Sequence, residues 1–305
     1  MVHIQHPAPL CVFAYNRPEK LWTSLRTIER NVGATDTYIR IYIDGPKTDK
    51  DVPLVKKTID IANEAAKGGF KKVDIIASVE NKGLANSVIS GVSEVVSDYK
   101  KVIVLEDDLI ASNNFLLYMN ESLNFYQQYE KVGSISGFGF KVTPSQHYDN
   151  FFHKRPNSWG WATWLNNWDK AIWDLETENL IDSSFKKEFN KGGEDLFRML
   201  GNYQEGVIDS WAIRWAYTHY KLGWVASCPY YSKIVNDGYS EAGTHCRGDN
   251  PIPTRIDNGE NFDFVLRNDL NCDLAAAKEM DWYNSNMYKL LYKSKLLKLK
   301  TIFSK

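Results

Sequence analysis

Over its first half the chain alternates short apolar runs with longer stretches of helical apolar spacing, and few architectures accept that alternation. Pro9–Tyr15 reads as a buried strand, followed by a turn at Asn16-Arg17-Pro18 and a helix with Leu21, Leu25 and Ile28 on one face. Tyr38–Ile43 reads as a second strand, stopped by Asp44-Gly45-Pro46. A helix over Leu54–Lys67 and a strand over Val73–Ser78 follow. After a loop at Asn81-Lys82-Gly83, a further helix is marked by Leu84, Val88, Val92 and Val95. Val102–Leu105 is a fourth strand and runs directly into Glu106-Asp107-Asp108. A helix over Phe115–Tyr129 and a short strand over Val132–Ser136 come next. The pattern predicts an α/β fold with a mostly parallel sheet flanked by helices. Such sheets bind ligands at the carboxyl ends of their strands. Asn16-Arg17, Asp44 and the three consecutive acids all fall at those ends, so one fold would gather them.

The second half is irregular. It has loops rich in Trp, Asn, Asp and Gly and one clear helical stretch, Asp209–Lys221. No linker separates it, which predicts one domain over residues 1–285, with 1–140 as the nucleotide-sugar side, 141–285 as the acceptor side, and a distinct tail at 286–305. The ten tryptophans and seventeen tyrosines are the one unusual count. They suit either a large aromatic core or ring faces stacked on sugars. A formal net charge of -1 gives no basic excess of the kind nucleic-acid binding needs. Cys11, Cys228, Cys246 and Cys272 have no CxxC spacing. Neither a zinc site nor a disulfide framework is expected, and a reducing compartment fits. Met1–Pro9 has no apolar run, so no signal peptide is expected, and no stretch reaches bilayer-spanning length. From Met287 the tail mixes Leu290, Leu291, Leu297, Leu299 and Phe303 with Lys289, Lys293, Lys295, Lys298 and Lys300. It is either a basic amphipathic helix for an anionic membrane surface or a terminal helix docked on the body.

Three acids at the end of an apolar strand need a partner, because unpaired buried carboxylates are costly. One solution is a hard divalent cation, Mg²⁺ or Mn²⁺, bridging the phosphates of a nucleotide diphosphate. The other is a solvated acidic turn. No Gly-x-Gly-x-x-Gly follows the first strand and no Walker sequence occurs, so neither a dinucleotide dehydrogenase nor a P-loop enzyme is supported.

The segment 102–138, which opens Val-Ile-Val-Leu-Glu-Asp-Asp, resembles the corresponding part of N-acetylglucosaminyltransferase I. The segment 9–21 resembles the first strand and nucleotide-contacting loop of that family and of bacterial family-two-type sugar transferases. The resemblance implies a GT-A fold, a Rossmann-like nucleotide-sugar-binding sheet, with Glu106-Asp107-Asp108 as its acidic metal motif. It further implies that Asp108 is the direct metal ligand, that Asp107 and Glu106 contact the ribose or sugar of the donor, that Asp44 accepts from the base, and that Asn16 and Arg17 lie at the diphosphate. Ser158-Trp159-Gly160-Trp161 resembles the Gly-Trp segment that walls the sugar and acceptor pocket, although a tight aromatic core corner explains it equally. In the family an Asp-Asp-Trp stretch supplies the general base immediately before Trp. Here Asp209-Ser210-Trp211 puts a serine at that position. The role then shifts to Asp209, or Asp209 is a helix cap, with Glu205 and Asp237 as reserve candidates for the base and Asp237 also at the sugar and acceptor pocket. His245 is the candidate late histidine for the metal site.

The function these residues imply is transfer of a sugar, hexosyl or N-acetylhexosaminyl, from a nucleotide-diphosphate sugar. UDP is the expected nucleotide. The acceptor is a hydroxyl of a glycan or lipid-linked molecule, the configuration inverts, and Mn²⁺ or Mg²⁺ assists. The expected setting is bacterial polysaccharide synthesis, in the cytoplasm or at the inner membrane face. Two alternatives are weighed against it. A nucleotidyltransferase normally needs a basic Gly-rich loop that Ala14-Tyr15-Asn16-Arg17 does not supply. A non-catalytic carbohydrate-binding protein is favoured only by Ser210.

Overall fold

The computed structural model describes residues 4, 6–175, 183–239, 250–271 and 273–294, and the architecture below is that of these residues. Strands β1 (Leu10–Ala14), β2 (Tyr38–Ile43), β3 (Lys72–Ala77) and β4 (Lys101–Glu106) alternate with helices α1 (Pro18–Glu29), α2 (Val52–Ala65) and α3 (Leu84–Tyr99). A short β5 (Leu109–Ala111) and α4 (Phe115–Tyr126) precede β6 (Val132–Ser136), β7 (Asn150–His153) and β8 (Trp161–Trp164). Helices α5 (Leu165–Trp168), α6 (Ser183–Phe189), α7 (Leu196–Gln204) and α8 (Trp211–Leu222) follow. The chain ends in β9 (Val225–Pro229), β10 (Ile234–Asn236), α9 (Leu274–Asn284) and α10 (Asn286–Lys293).

The main sheet has the order β3-β2-β1-β4-β8-β6-β9-β7. Its first four strands are parallel, as the alternation predicts. Beyond β4 the sheet turns mixed, because β8 is antiparallel to both β4 and β6 while β6 and β9 are parallel. Since β1 lies between β2 and β4, the chain reverses its winding direction between β1 and β4. The crevice of an open α/β sheet forms at such a point.

Alternation along the strands divides the core. Leu10, Val12, Ile103 and Leu105 face a cluster with α1, α2 and α4. Cys11, Phe13, Val102 and Val104 face α3 and a tryptophan cluster. Both faces are apolar because helices cover both, as parallel strands require. The edge strand β3 is half-exposed and opens on Lys72, which blunts the edge against pairing with another chain. On α3, Gly91 lets the helix settle on the sheet, since a Cβ there would stand 2.9 Å from Phe13 and 3.0 Å from Tyr42.

Most of the tryptophans go to the core. Trp161 stacks on Trp211 at 5.0 Å and Trp168 at 5.7 Å, and Trp215 joins Trp168, Trp173 and Trp224 in the same cluster. Burying five of these rings, with Trp173 partly buried against them, offsets part of the entropy cost of an otherwise irregular half. Cys11 and Cys228 are buried, and burial pushes the Cys11 thiol far up. Cys246 and Cys272 lie outside the described residues. The tail, as far as Ser294, takes the docked form. Tyr288 is buried and donates to the Pro251 carbonyl at 2.8 Å, and Lys289 bonds Asp195 Oδ2 at 2.8 Å. Its residues 295–305 lie outside the described residues. Among the described residues, no helix is long and apolar enough to cross a membrane.

Candidate active site

The site is built at the carboxyl ends of β1 and β4. Pairing places Phe13 opposite Glu106, and the Asp107 amide donates to the Phe13 carbonyl at 3.0 Å, so the acids leave β4 beside the loop that leaves β1. Arg17 heads α1 from that loop. Its Nη1 donates to Asp108 Oδ2 at 2.8 Å and its Nη2 pairs with Asp107 Oδ1. Asp107 and Asp108 are 1% and 8% exposed, yet Asp107 Oδ2 and Asp108 Oδ1 have no hydrogen-bond partner. Two buried carboxylate oxygens without a donor are costly and suit a bound cation. Burial, opposed in part by Arg17, raises the Asp107 carboxyl to about 6. Burial and the adjacent Asp108 and Asp107 push Glu106 up to about 8.

The β5–β10 ribbon forms the opposite wall. Asn236 pairs with Leu109, and the Asp237 amide donates to the Asp108 carbonyl at 2.8 Å. Gly238 lies against Asp108, where a Cβ would stand 2.2 Å from Asp108 Oδ2. Asp237 accepts from Lys20 Nζ at 2.6 Å through Oδ2 and at 2.7 Å through its carbonyl. β8 runs antiparallel to β4 with Trp161 opposite Val104, so Gly160 and Trp159 stand at the same rim. Gly160 has φ +63, and its carbonyl accepts from the Gly137 amide at 2.6 Å, a close approach that only a glycine makes without strain. Trp159 is half-buried, with Phe138 at 4.6 Å and Tyr239 at 6.0 Å between ring centres.

Thus Arg17, Glu106, Asp107, Asp108, Trp159, Gly160 and Asp237 share one rim. Trp161 does not wall the pocket. It is 1% exposed and supports the rim from beneath, because its odd-even position on β8 turns the indole into the tryptophan cluster. Asp44 spends its carboxylate on the protein itself. Oδ1 accepts from the Gly45 and Lys82 amides at 2.9 and 2.8 Å, and Oδ2 from Gly83 at 3.0 Å. It therefore ties the ends of β2 and β3 together. Asn16 donates to Asp51 Oδ1 at 2.8 Å.

At the start of α8, Ser210 is the cap, its Oγ accepting from the Ile213 amide at 3.4 Å. Asp209 is released from capping and stays exposed, with Oδ1 on Arg214 Nη2 at 3.0 Å. Trp211, stacked on Trp161, fixes this helix start against the sheet. Glu205 is the exposed residue after α7. His245 lies outside the described residues, and among those described no three His, Cys, Asp or Glu side chains form a ready-made metal cage. Sequence reading missed Lys20 and the β5–β10 ribbon. The spacing of Arg17 and Lys20 on one helix face was the available signal for the lysine.

A model of glycosyl transferase family 2 matches residues 10–186, more than half of the sequence, and the chain belongs to that family. Its fold is accordingly the GT-A fold. Among curated proteins none matches. Among solved structures, TarS of S. aureus aligns with a TM-score of 0.38 at 10% identity, over 74% of this chain and 36% of that one. The chain thus spans about a third of that protein's length.

Proposed function

We propose that the protein transfers a hexosyl or N-acetylhexosaminyl group from a nucleotide-diphosphate sugar, UDP-linked for choice, to a hydroxyl of a glycan or lipid-linked acceptor, with inversion. The supporting observation is the pair of unpartnered, buried carboxylate oxygens on Asp107 and Asp108 beside Arg17. They fit Mn²⁺ or Mg²⁺, held by Asp108 with Asp107 beside it and His245 as a further candidate. A bound divalent cation there supplies Lewis-acid neutralisation of the leaving diphosphate. Arg17 donates to the same phosphates, an electrostatic aid that grows as charge develops on them. Glu106 and Asp107 face the donor's sugar hydroxyls, Asp44 holds the base-side loop, and Trp159 with Gly160 shapes the sugar pocket. Asp209, exposed at the head of α8, takes the proton of the attacking hydroxyl as general base. Attack from the side opposite the diphosphate inverts the anomeric carbon.

α10 leaves Met287 and Leu290 exposed at 56% and 63%. With the lysines beyond them they would rest on an anionic bilayer on the cytoplasmic side, which co-sedimentation with acidic vesicles tests.

The deciding measurement is the melting temperature with nucleotide diphosphates and their sugars, with and without Mn²⁺, for wild type and Asp108→Ala. A ligand that binds only the folded chain raises it. We expect a Mn²⁺-dependent rise with one nucleotide that Asp108→Ala abolishes. No rise with any nucleotide would leave the acids as a structural turn. Binding without any sugar transfer or hydrolysis would favour the non-catalytic alternative, consistent with Ser210 at the base position.

A further inference from the structure

We propose that Lys20 is a second diphosphate-binding cation, acting with Arg17 and held in reserve by Asp237 until the donor arrives. The inference rests on the donor reading above. Arg17 caps α1 and Lys20 is three residues further on, so the two side chains share one face of the helix and reach the same rim. Lys20 Nζ bonds both the carboxylate and the carbonyl of Asp237, at 2.6 and 2.7 Å. The Asp237 amide in turn bonds the Asp108 carbonyl at 2.8 Å. A continuous chain of contacts therefore runs from Arg17 through Asp108 and Asp237 to Lys20.

The charges explain why a second cation is needed. Two cations face three carboxylates, Asp107, Asp108 and Asp237, so the rim by its own charges is acidic and repels an anionic donor. Arg17 alone is divided between two aspartates. If a divalent cation takes over Asp107 and Asp108, Arg17 is freed, and two phosphates need a second such donor, for which Lys20 has only to leave Asp237. Lys20 is suited to the exchange. Its partner Asp237 is half-exposed, at 52% for the side chain, so their pair contributes little to stability and gives way easily. A flexible lysine stem can swing from Asp237 to a phosphate as a point charge.

The test compares wild type, Lys20→Met and Lys20→Arg by titration calorimetry in MnCl₂ with ADP, GDP, CDP, UDP and dTDP, and with the matching monophosphates. For the nucleoside diphosphate that wild type binds, Lys20→Met should weaken binding by about tenfold to a hundredfold, as expected for a lost hydrogen bond between charged groups. Its monophosphate affinity should be unchanged, and Lys20→Arg should keep most of the diphosphate affinity. Diphosphate and monophosphate falling together, or Lys20→Arg falling as far as Lys20→Met, would mark a packing role and overturn the proposal. So would undiminished diphosphate binding in Lys20→Met. If wild type binds no nucleoside diphosphate, the donor reading and this inference fall together. If only the Lys20 variants behave otherwise than stated, the inference falls alone.

Discussion

At the scale of single residues, the chain tolerates polar groups in its interior only where a neighbour answers them, and the exceptions are informative. His219 on α8 is fully buried between Trp215 and Trp224, with Ser134 Oγ 3.3 Å from Nε2 and no partner on Nδ1. Burial drives its pKa from 6.5 down to about 3. A depressed histidine carries no protonation penalty above 6.5, where both states are neutral, so stability is full there. That contribution is lost as pH falls from 6.5 toward about 3, where the unfolded chain binds the extra proton. The loss is at most about 5 kcal/mol. Urea unfolding across this range should show stability falling with pH in wild type and a flatter acid limb in His219→Gln. An unchanged slope would mean the histidine is already hydrated. Asp107 and Asp108 carry the same lesson at the site. Their identity as acids was plain in the sequence, but only the fold shows which oxygen each leaves without a donor.

Among the elements, the shortest ones decide the site. β10 has three residues and β5 has three, too few for any periodic signal, yet their pairing brings Asp237 and Gly238 against Asp108. We expect Gly238→Ala to abolish Mn²⁺-dependent nucleotide binding while leaving the fold intact. The added methyl must displace Asp108 Oδ2, which stands 2.2 Å from its ideal position and is already pinned by Arg17. Circular dichroism with calorimetric binding separates this from unfolding. Retained binding would show that Asp108 can move freely. The long elements behaved as their patterns predicted. The stripe Leu21, Leu25 and Ile28 is buried on α1, and Val88, Val92 and Val95 on α3, because helices of 12 and 16 residues carry enough turns to make the spacing unambiguous, whereas Leu84, expected in the same stripe, is exposed at the head of α3. The last turn of the helix expected to reach Tyr129 stops at Tyr126, as helix ends usually resist sequence reading.

For the molecule as a whole, a buried ion pair ties the late segment to the sheet. Lys233, 2% exposed, lies between the rings of Tyr118 and Phe264 at 5.2 and 4.8 Å and pairs with Asp257, which also accepts from Asn114 at 2.9 Å and from the Gly259 amide at 2.7 Å. The two partners are not equivalent. Asp257→Ala leaves a buried ammonium with only ring faces, and should cost about 3–5 kcal/mol. Lys233→Met leaves Asp257 with two donors and should cost clearly less. Denaturant midpoints that came out equal would mean the lysine reaches water once released.

The parallel half-sheet, the strand ends and the acid triplet were legible in the sequence because local apolar periodicity dictates them and adjacent residues carry them. The family resemblance at 9–21 and 102–138 rested on the same contiguous stretches. What only the tertiary structure decided is long-range. Trp161 is core and Trp159 is rim, although two residues apart in sequence, because Trp161 opens β8 while Trp159 lies before it, across the left-handed turn at Gly160. Asp44 is committed to backbone amides 38 and 39 residues away, and Lys20 meets an aspartate 217 residues away. Such pairings depend on how distant segments are brought together by burial of the two apolar faces, and no local pattern encodes them.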